Sequence, residues 1–329
     1  MYNFNSAVYA ILISFFVCVA LMPAVLSLLK RLNFGQNVRE DGPETHLVKQ
    51  GTPTMGGIAI VISFLAAGAF FVRDNPDAVA VLITTLAFGA IGFADDFVSI
   101  VMGRSKGLSG KMKIVLQLVV CAGFLGFLYW RGFDTSIYIP FANIDFDLGI
   151  FYIPFYVISM VGIVNAVNLT DGVDGLASGV TAMVSAFFMF LMLALGSPLL
   201  PIAGAAVGAL MGFLLFNSYP AKVFMGDTGS FALGGFVIST AMILRMPLVL
   251  VIVGFVYIAQ NLSSIIQRYW FKYTKKKYGT GRRFFKMAPL HHHFELMGWK
   301  ETQVVTLFYI FTAICCLVGY IAVRGLFTT

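Results

Sequence analysis

Acidic and histidine side chains fall in four short clusters of this sequence, each at the edge of a long apolar run. The clusters are FADDF at 93–97, NAVNLTDGVDGLA at 165–177, FMGDTGS at 224–230 and PLHHHFE at 289–295. Charge beside an apolar run is costly unless it faces a cavity, a partner or an ion, so such residues are candidates for function. We therefore expect the four clusters to build one polar site.

The first two clusters supply carboxylates. Asp95 and Asp96 are adjacent, so on a helix their side chains diverge by about 100° and take different partners. Asp171 and Asp174 are three residues apart, and the glycine after each lets the backbone come close to a ligand. With Asn168 they form a second polar set. The alternatives are a helix end with solvated acids at 95–96, and a polar turn in which Asp174 only caps the next helix.

The third cluster precedes a predicted helix. Asp227 and Thr228 stand before its first turn, where backbone amides and the positive dipole end favour an anion. Asp227 acting only as a helix cap is the alternative. Phe224 is by default a packing or interfacial aromatic.

His291, His292 and His293 are contiguous, so they cannot converge on one zinc ion, and no cysteine supports them. Phosphate binding or proton balance suits these imidazoles better, because histidine titrates near neutrality.

The carboxylates and the asparagine of the other clusters offer oxygen ligands without thiolates, which indicates magnesium. Magnesium beside basic residues indicates phosphoryl transfer, in which the ion neutralises phosphate oxygens. The basic candidates are Lys49, Lys111 and Lys113.

The composition defines what must position these clusters. The 329 residues are 59% hydrophobic and 11% charged, which indicates an all-α integral membrane protein. Apolar runs of about 20 residues predict about ten transmembrane helices. These are 6–29, 55–72, 78–94, 112–130, 149–167, 176–195, 198–217, 228–246, 248–267 and 304–327. We find no linker or repeat and expect a single domain over 1–329. The four cysteines lie inside spans and predict neither a disulfide nor a metal–thiolate site.

The loop charges predict the orientation of the chain. All 22 lysines and arginines except Arg73, Arg131, Arg245 and Arg324 fall in one alternating set of loops, which the positive-inside rule assigns to the cytoplasm. Both termini are then extracytoplasmic. Two predicted spans separate each successive pair of clusters, so all four clusters lie on the cytoplasmic face.

In the loop at 136–149, alternating apolar and polar residues predict a short extracytoplasmic β-hairpin. We interpret the basic run at 275–277 as an interfacial anchor.

Together these motifs resemble the phospho-N-acetylmuramoyl-pentapeptide transferase family over essentially the whole chain. The similar stretches are HLVKQGTPTMGG at 46–57, FADDF, GLSGKMK at 107–113, NAVNLTDGVDGLASG at 165–179, FMGDTGS and MAPLHHHFE at 287–295. The resemblance implies transfer of phospho-N-acetylmuramoyl-pentapeptide from UDP to undecaprenyl phosphate, with magnesium, in the bacterial cytoplasmic membrane. It also suggests a homodimer. Membrane lipid is a further expected partner, and nucleic acid is not.

The resemblance also implies roles for individual residues. Asp227 would be the magnesium ligand, with Asp95 and Asp96 as further candidates that also serve the lipid phosphate. His291 joins these three acids as a catalytic candidate. The remaining residues would bind the substrates: Asn168, Asp171, Asp174, Phe224 against uracil, Lys49, Thr54, Lys111, Lys113, His292 and His293.

Two other functions remain open from the sequence. A related polyprenyl-phosphate N-acetylglucosamine-1-phosphate transferase would share the aspartate motifs and differ near the histidines, where the unbroken MAPLHHHFE favours the muramoyl-pentapeptide family. A transporter would place its acids near the bilayer midplane and often contain repeats, which the sequence does not suggest.

Overall fold

The computed structural model describes residues 4–32, 51–72, 75–102 and 107–327, and almost all regular structure in them is helical. Helices lie over every predicted apolar segment. Their bounds are α1 (Phe4–Arg31), α2 (Gly57–Phe71), α3 (Pro76–Val101), α4 (Gly110–Trp130), α5 (Tyr152–Thr170), α6 (Leu176–Ala194), α7 (Leu200–Asn217), α8 (Gly226–Ile243), α9 (Pro247–Val253), α10 (Phe255–Tyr278), α11 (Leu290–Glu295) and α12 (Glu301–Val323). The all-α membrane fold is thereby confirmed.

The ninth predicted span, 248–267, is not one straight helix. It consists of α9 and α10, whose axes differ by 82° at a break at Gly254. Within the described residues, seven helices are long and apolar enough to cross a membrane, or eight if this bent pair counts as one span. Helix α2 has only 15 residues. The prediction of about ten spans therefore matches the number of apolar segments better than the number of straight, full-length crossings.

The predicted β-hairpin is present. Strands β1 (Ser136–Ile139) and β2 (Ile144–Asp147) pair antiparallel, with Ile139 opposite Ile144. The hairpin is attached to the helices, because the Tyr138 amide donates to the Arg245 carbonyl at 2.8 Å. It therefore packs at the end of the bundle where α8 finishes.

Helix α8 forms the centre of the helical bundle. Every residue from Thr228 to Ile243 is buried, with α3, α5 and α2 packed around it. Glycines allow the backbones to approach closely: a Cβ added at Gly92 would lie 2.0 Å from the Asp227 carbonyl oxygen, and one at Gly57 would lie 2.3 Å from the Gly229 Cα. Small residues at helix contacts are typical of membrane bundles. This packing fixes the first turn of α8 against α2 and α3.

A pair of amides joins α4 to α5 inside the bundle. Asn165 Nδ2 donates to Gln117 Oε1 at 2.8 Å and to the Val161 carbonyl at 2.8 Å, and Gln117 is fully buried. Each amide lies one helical turn from a residue that contacts Asp227, namely Lys113 on α4 and Asn168 on α5. The pair therefore couples two helices that support the site.

Candidate active site

Lys113 lies at the centre of the charged cluster. Its Nζ is 2.8 Å from Asp95 Oδ2 and 2.9 Å from Asp227 Oδ2, so one ammonium bridges carboxylates from α3 and α8. Asp95 is buried, and its other oxygen accepts the Leu108 amide at 2.6 Å. Three helices thus bring together residues that lie far apart in the sequence. The expected meeting of the first and third clusters is confirmed.

Asp96 faces a different partner from its neighbour, as the divergence of adjacent helical side chains predicts. Its carboxylate accepts the amide of Asp227 at 3.1 Å, the amide of Thr228 at 2.9 Å and the Thr228 hydroxyl at 2.7 Å. Asp96 is therefore the N-terminal cap of α8. The anion at the positive end of this helix is therefore the Asp96 carboxylate.

Asp227 lies inside the first turn of α8, because the helix begins at Gly226, two residues before the predicted start at 228. Asn168 Nδ2 donates to Asp227 Oδ1 at 2.8 Å and also contacts Ser230 Oγ at 2.9 Å. The preceding Gly226 has a φ of +75°, and a Cβ there would lie 2.7 Å from Asp96 Oδ2. Glycine is therefore required at this position by both the backbone conformation and the close approach of Asp96.

The loop between α5 and α6 carries the second cluster. Asp174 is buried, and its Oδ2 accepts the Ala221 amide at 2.9 Å while its own amide donates to Glu301 Oε1 at 2.6 Å. These contacts tie the loop to α12 and to the segment before α8, which gives Asp174 a clear structural role. The N-cap position of α6 is Gly175, so Asp174 stands one residue before the capping position.

Asp171 faces the other carboxylates from this loop. Loss of solvent, together with the negative charges of Asp227, Asp96 and Asp174, raises the pKa of Asp171 to about 8. The Gly226 amide partly offsets this effect. Asp171 can therefore hold a proton near neutral pH unless a cation arrives to balance the charge.

His291 connects the fourth cluster to the second. The residue is buried at the start of α11, and a Cβ added at Gly172 would lie 2.1 Å from its Nε2. Its backbone amide donates to Oε1 of the buried Gln260 at 3.3 Å. Gly172 thus allows the imidazole to pack directly on the loop that holds Asp171, and the expected convergence of all four clusters is confirmed.

The other two histidines contact their own segment. His292 Nδ1 is 2.9 Å from Glu295 Oε2, and His293 Nδ1 accepts the Lys286 amide at 3.1 Å. The three imidazoles therefore have different hydrogen-bonding surroundings, although the His291 and His292 rings also meet edge to face with centroids 4.2 Å apart. Of the three, His291 packs on the acidic loop.

Thr54 and Phe224 are held together by a short backbone pairing. The Phe224 amide donates to the Pro53 carbonyl at 2.8 Å, and the Gly56 amide donates back to the Phe224 carbonyl at 2.8 Å. Thr54 Oγ1 lies near Gly226, at 3.1 Å from the position of an added Cβ. Phe224 is half-buried beside the start of α8, where its ring can contact a ligand.

The two described lysine candidates differ. Lys113 is half-buried at the cluster, whereas Lys111, two residues earlier on α4, is exposed. Lys49 lies outside the described residues, so its assignment stays a prediction.

Sequence reasoning missed three supporting polar residues: Gln260, Gln267 and Glu301. Gln260 holds the His291 amide, and Gln267 Oε1 accepts the amides of Phe284 and Phe285 at 3.0 and 2.9 Å. A usable signal was present, because the two glutamines lie seven residues apart in a predicted apolar span and so share one helix face. Glu301 gave no such signal.

The donor atoms at the cluster are suited to a hard divalent cation. They are the carboxylate oxygens of Asp95, Asp171 and Asp227 and the amide oxygen of Asn168, which are ligand types that magnesium accepts. In this conformation no group of three or more His, Cys, Asp or Glu side chains among the described residues is arranged to hold an ion. The Lys113 ammonium lies between the Asp95 and Asp227 carboxylates. The types of donor atom at the site would suit magnesium, with Asp227 and Asp95 as the residues that would hold it.

The fold and the site together define a polytopic helical membrane protein with a partly buried acidic and lysine-containing cluster at the ends of its helices. Residues 78–245 match the model of glycosyl transferase family 4, and residues 49–61 match signature 1 of phospho-N-acetylmuramoyl-pentapeptide-transferase. The chain therefore belongs to glycosyl transferase family 4 and, within it, to the phospho-N-acetylmuramoyl-pentapeptide transferases.

Relatives of that name match nearly the full length of the chain. The Clostridioides difficile protein is 46% identical over 326 residues, which cover 98% of this chain and 99% of the relative. The Clostridium perfringens protein is 46% identical over 316 residues, covering 95% and 97%. The Caldicellulosiruptor bescii protein is 46% identical over 313 residues, covering 95% and 96%.

Proposed function

We propose that this protein transfers phospho-N-acetylmuramoyl-pentapeptide from its UDP carrier to undecaprenyl phosphate, releasing UMP and forming the first lipid-linked peptidoglycan precursor. One observation carries the proposal: Lys113 joins Asp95 and Asp227 at the ends of membrane helices. The chain around this cluster resembles transferases of that name from end to end.

The reaction joins two anions, so the site must supply positive charge. An oxygen of the lipid phosphate attacks the β-phosphorus of the UDP-sugar, and the bond from that phosphorus to the oxygen of UMP breaks. Among the described residues, Lys113 is the cation paired with Asp95 and Asp227, and it offers its charge to the phosphates. Asp95 is placed either to orient the attacking phosphate or to take its last proton.

Other residues hold the soluble substrate in this proposal. Phe224 stacks on uracil and Thr54 flanks that pocket. Asn168 and Asp171 face the sugar phosphate, and His291 supports the phosphates from α11. The contacts of Asp174 and His292 with their own chain favour positioning roles for these two residues.

An apolar cavity supports a polyprenyl acceptor. It has a volume of about 190 Å³ and lies among α5, α8, α9 and α10, with Phe155, Ile158, Gly162 and Val251 in its lining. Ala166 also lines it, and Ala166 is only two residues from Asn168 at the site. A lipid chain in this cavity would therefore lie against the helix that carries Asn168, on a different face from the Asn168 side chain.

Magnesium is the proposed cofactor, held by Asp227 with Asp95. When bound, the ion would neutralise phosphate oxygens and reduce repulsion between the reactants. Asp96 accepts hydrogen bonds from the first turn of α8 through both of its oxygens. Its role in this proposal is to fix the helix that carries Asp227.

We place the protein in the bacterial cytoplasmic membrane, with both termini outside and the site on the cytoplasmic face. The distribution of lysine and arginine in the loops supports this orientation. The nucleotide substrate is soluble, so the site must open toward the compartment that contains it. A homodimer stays a prediction from the family resemblance.

The direct test is UMP release by the purified protein with magnesium and undecaprenyl phosphate. We expect release with UDP-N-acetylmuramoyl-pentapeptide and none with UDP-N-acetylglucosamine. The reverse result would identify the N-acetylglucosamine-1-phosphate transferase instead. Folded protein that is inactive with both would direct attention to transport.

The site assignment is tested with Asp227→Ala and Asp95→Asn. Both variants should lose turnover while remaining folded in detergent. Near-normal UMP release by either aspartate variant would refute the assignment of that residue.

A Phe224→Ala variant should bind the nucleotide substrate less tightly while its affinity for the lipid changes little.

A further inference from the structure

The segment from Arg268 to Lys286, named here the basic arm, concentrates positive charge outside the site. It contains eight lysines and arginines and no acidic residue, whereas the net charge of the whole chain is +7. All eight are exposed. They are Arg268, Lys272, Lys275, Lys276, Lys277, Arg282, Arg283 and Lys286. The reaction proposed above uses none of them.

The arm projects from the helical bundle as a folded unit. In α10, the residues up to Ser263 include most of the buried positions. After Ser263, Thr274 is the one residue of this helix that is buried. The chain then turns back, because the Arg282 amide donates to Thr274 Oγ1 at 2.9 Å. The Phe284 amide donates to Gln267 Oε1 at 3.0 Å, which attaches the returning segment to α10 a second time. The bases are therefore presented from a defined surface.

Aromatic rings alternate with the bases on this surface. Tyr269 is 68% exposed, and Trp270, Tyr273, Tyr278 and Phe284 are exposed as well. The Arg282 guanidinium lies 4.8 Å from the centre of the Tyr278 ring. Tyrosine and tryptophan with lysine and arginine are the residues that membrane–water interfaces select.

We propose that the basic arm binds the headgroups of anionic phospholipids. Positive loops fix topology in many membrane proteins, but that role requires only charge, and it needs neither exposed rings nor a folded-back segment. Those two features favour a lipid surface over a soluble phosphate, because a soluble anion gains nothing from exposed rings. Among the described residues, none of the eight bases forms an ion pair with a carboxylate, so their charge is available to an external anion. This inference does not depend on the proposed reaction.

The experiment counts lipids retained by the purified full-length protein in native mass spectrometry, with phosphatidylglycerol and phosphatidylcholine offered separately. Wild-type protein should retain phosphatidylglycerol in preference to phosphatidylcholine. Lys275→Gln with Lys276→Gln should weaken this retention by roughly fivefold for each neutralised lysine. The matched control is Lys30→Gln with Arg31→Gln, two exposed bases at the end of α1, which should change it little.

Three results would overturn the proposal. Equal retention of both lipids by the wild type would show no preference for anionic headgroups. An equal loss of phosphatidylglycerol retention in the control pair would show that only the net charge of the protein matters. Displacement of the retained lipid by inorganic phosphate at constant ionic strength would indicate a phosphate site instead. Unchanged thermal unfolding of both pairs in detergent would show that neither set of substitutions disturbs the fold.

Discussion

At the scale of single residues, Lys113 sets the electrostatic state of the site. Its ammonium lies within 2.9 Å of both Asp95 and Asp227. Without it the two carboxylates would face each other in a region of low dielectric, where like charges repel strongly. The same ammonium is the charge that an incoming phosphate would meet.

Lys113→Met is therefore expected to lower turnover by about 100-fold or more, because one preorganised charge at a reacting phosphate contributes on that scale. Lys111→Met is the comparison variant and should lose less, because Lys111, which the family resemblance also assigns to substrate binding, is exposed on the same turn of α4. Rates of UMP release from both variants make the comparison. Equal losses of UMP release would mean that the positive charge of this turn matters and that the Lys113 contacts with Asp95 and Asp227 do not.

Asp171 predicts a pH dependence of stability. Its pKa is about 8 in the folded protein against an ordinary value of 3.8, so between these values the folded state holds a proton that the unfolded state has lost. The free energy of unfolding must then fall as pH rises through this window. Asp171→Asn should unfold at a less pH-dependent temperature than wild type between about pH 5 and pH 8. Parallel curves for the two proteins in metal-free detergent would contradict the shift.

At the scale of elements, the site depends on how closely α8 approaches its neighbours. Asp96 on α3 caps α8, and Asn168 on α5 holds the Asp227 side chain. Glycines at the contacts leave no space between the backbones. Small displacements of these helices should therefore affect chemistry before they affect folding.

Gly92→Ala tests this close packing. The new Cβ would lie 2.0 Å from the Asp227 carbonyl oxygen, so α3 and α8 must separate at the residue that carries the site. Overpacking of this kind costs about 1–3 kcal/mol, and we expect turnover to fall at least tenfold. Gly123→Ala on α4 is the control, because nothing lies within 4 Å of its added Cβ. Thermal unfolding and UMP release should distinguish the two, and similar behaviour would refute the packing argument.

The amide pair between α4 and α5 supports a second element-scale prediction. Gln117→Leu and Asn165→Leu should each lower stability by about 1 kcal/mol, the scale of hydrogen bonds between membrane helices. The double variant should lose less than the sum, because either change alone breaks the pair. We also expect kcat to fall more than KM rises, since the amides align Lys113 and Asn168 with Asp227. Strict additivity in a double-mutant cycle would show that the pair is not coupled.

At the scale of the whole molecule, the sequence predicts the helical segments well and the shape of the ninth span poorly. Apolar length locates helices because an unpaired backbone cannot be exposed to lipid. It does not detect the 82° bend at Gly254, where one glycine inside an apolar run was the only sign. It also ends α10 at 267, although the helix continues to Tyr278, because the basic residues resemble a loop.

The membership of the site was predictable from charge placed against apolar runs, but its contacts were not. Lys113 and Asp227 are separated by 114 residues, and no local pattern specifies that they meet. The divergence of Asp95 and Asp96 was predictable, because it follows from helix geometry alone. The capping role of Asp96 required knowledge of which helix packs beside it.

Topology is the whole-molecule prediction that remains to be tested. In a variant whose four native cysteines are replaced, Ala142→Cys in the hairpin should react with a membrane-impermeant maleimide in intact cells. Lys276→Cys in the basic arm should react only after the membrane is permeabilised, because the charge distribution assigns it to the cytoplasm. The reverse pattern would invert the orientation and move the site to the opposite face.

The ammonium between Asp95 and Asp227 also bears on biogenesis. Because Lys113 already bridges the two carboxylates and offsets one of their two charges, the helices can close around the site as the chain leaves the insertion machinery, before any divalent ion is available. Newly made protein would then mature without competing for metal. With the magnesium site proposed above, a cell short of that ion would accumulate assembled protein whose two carboxylates are held by Lys113.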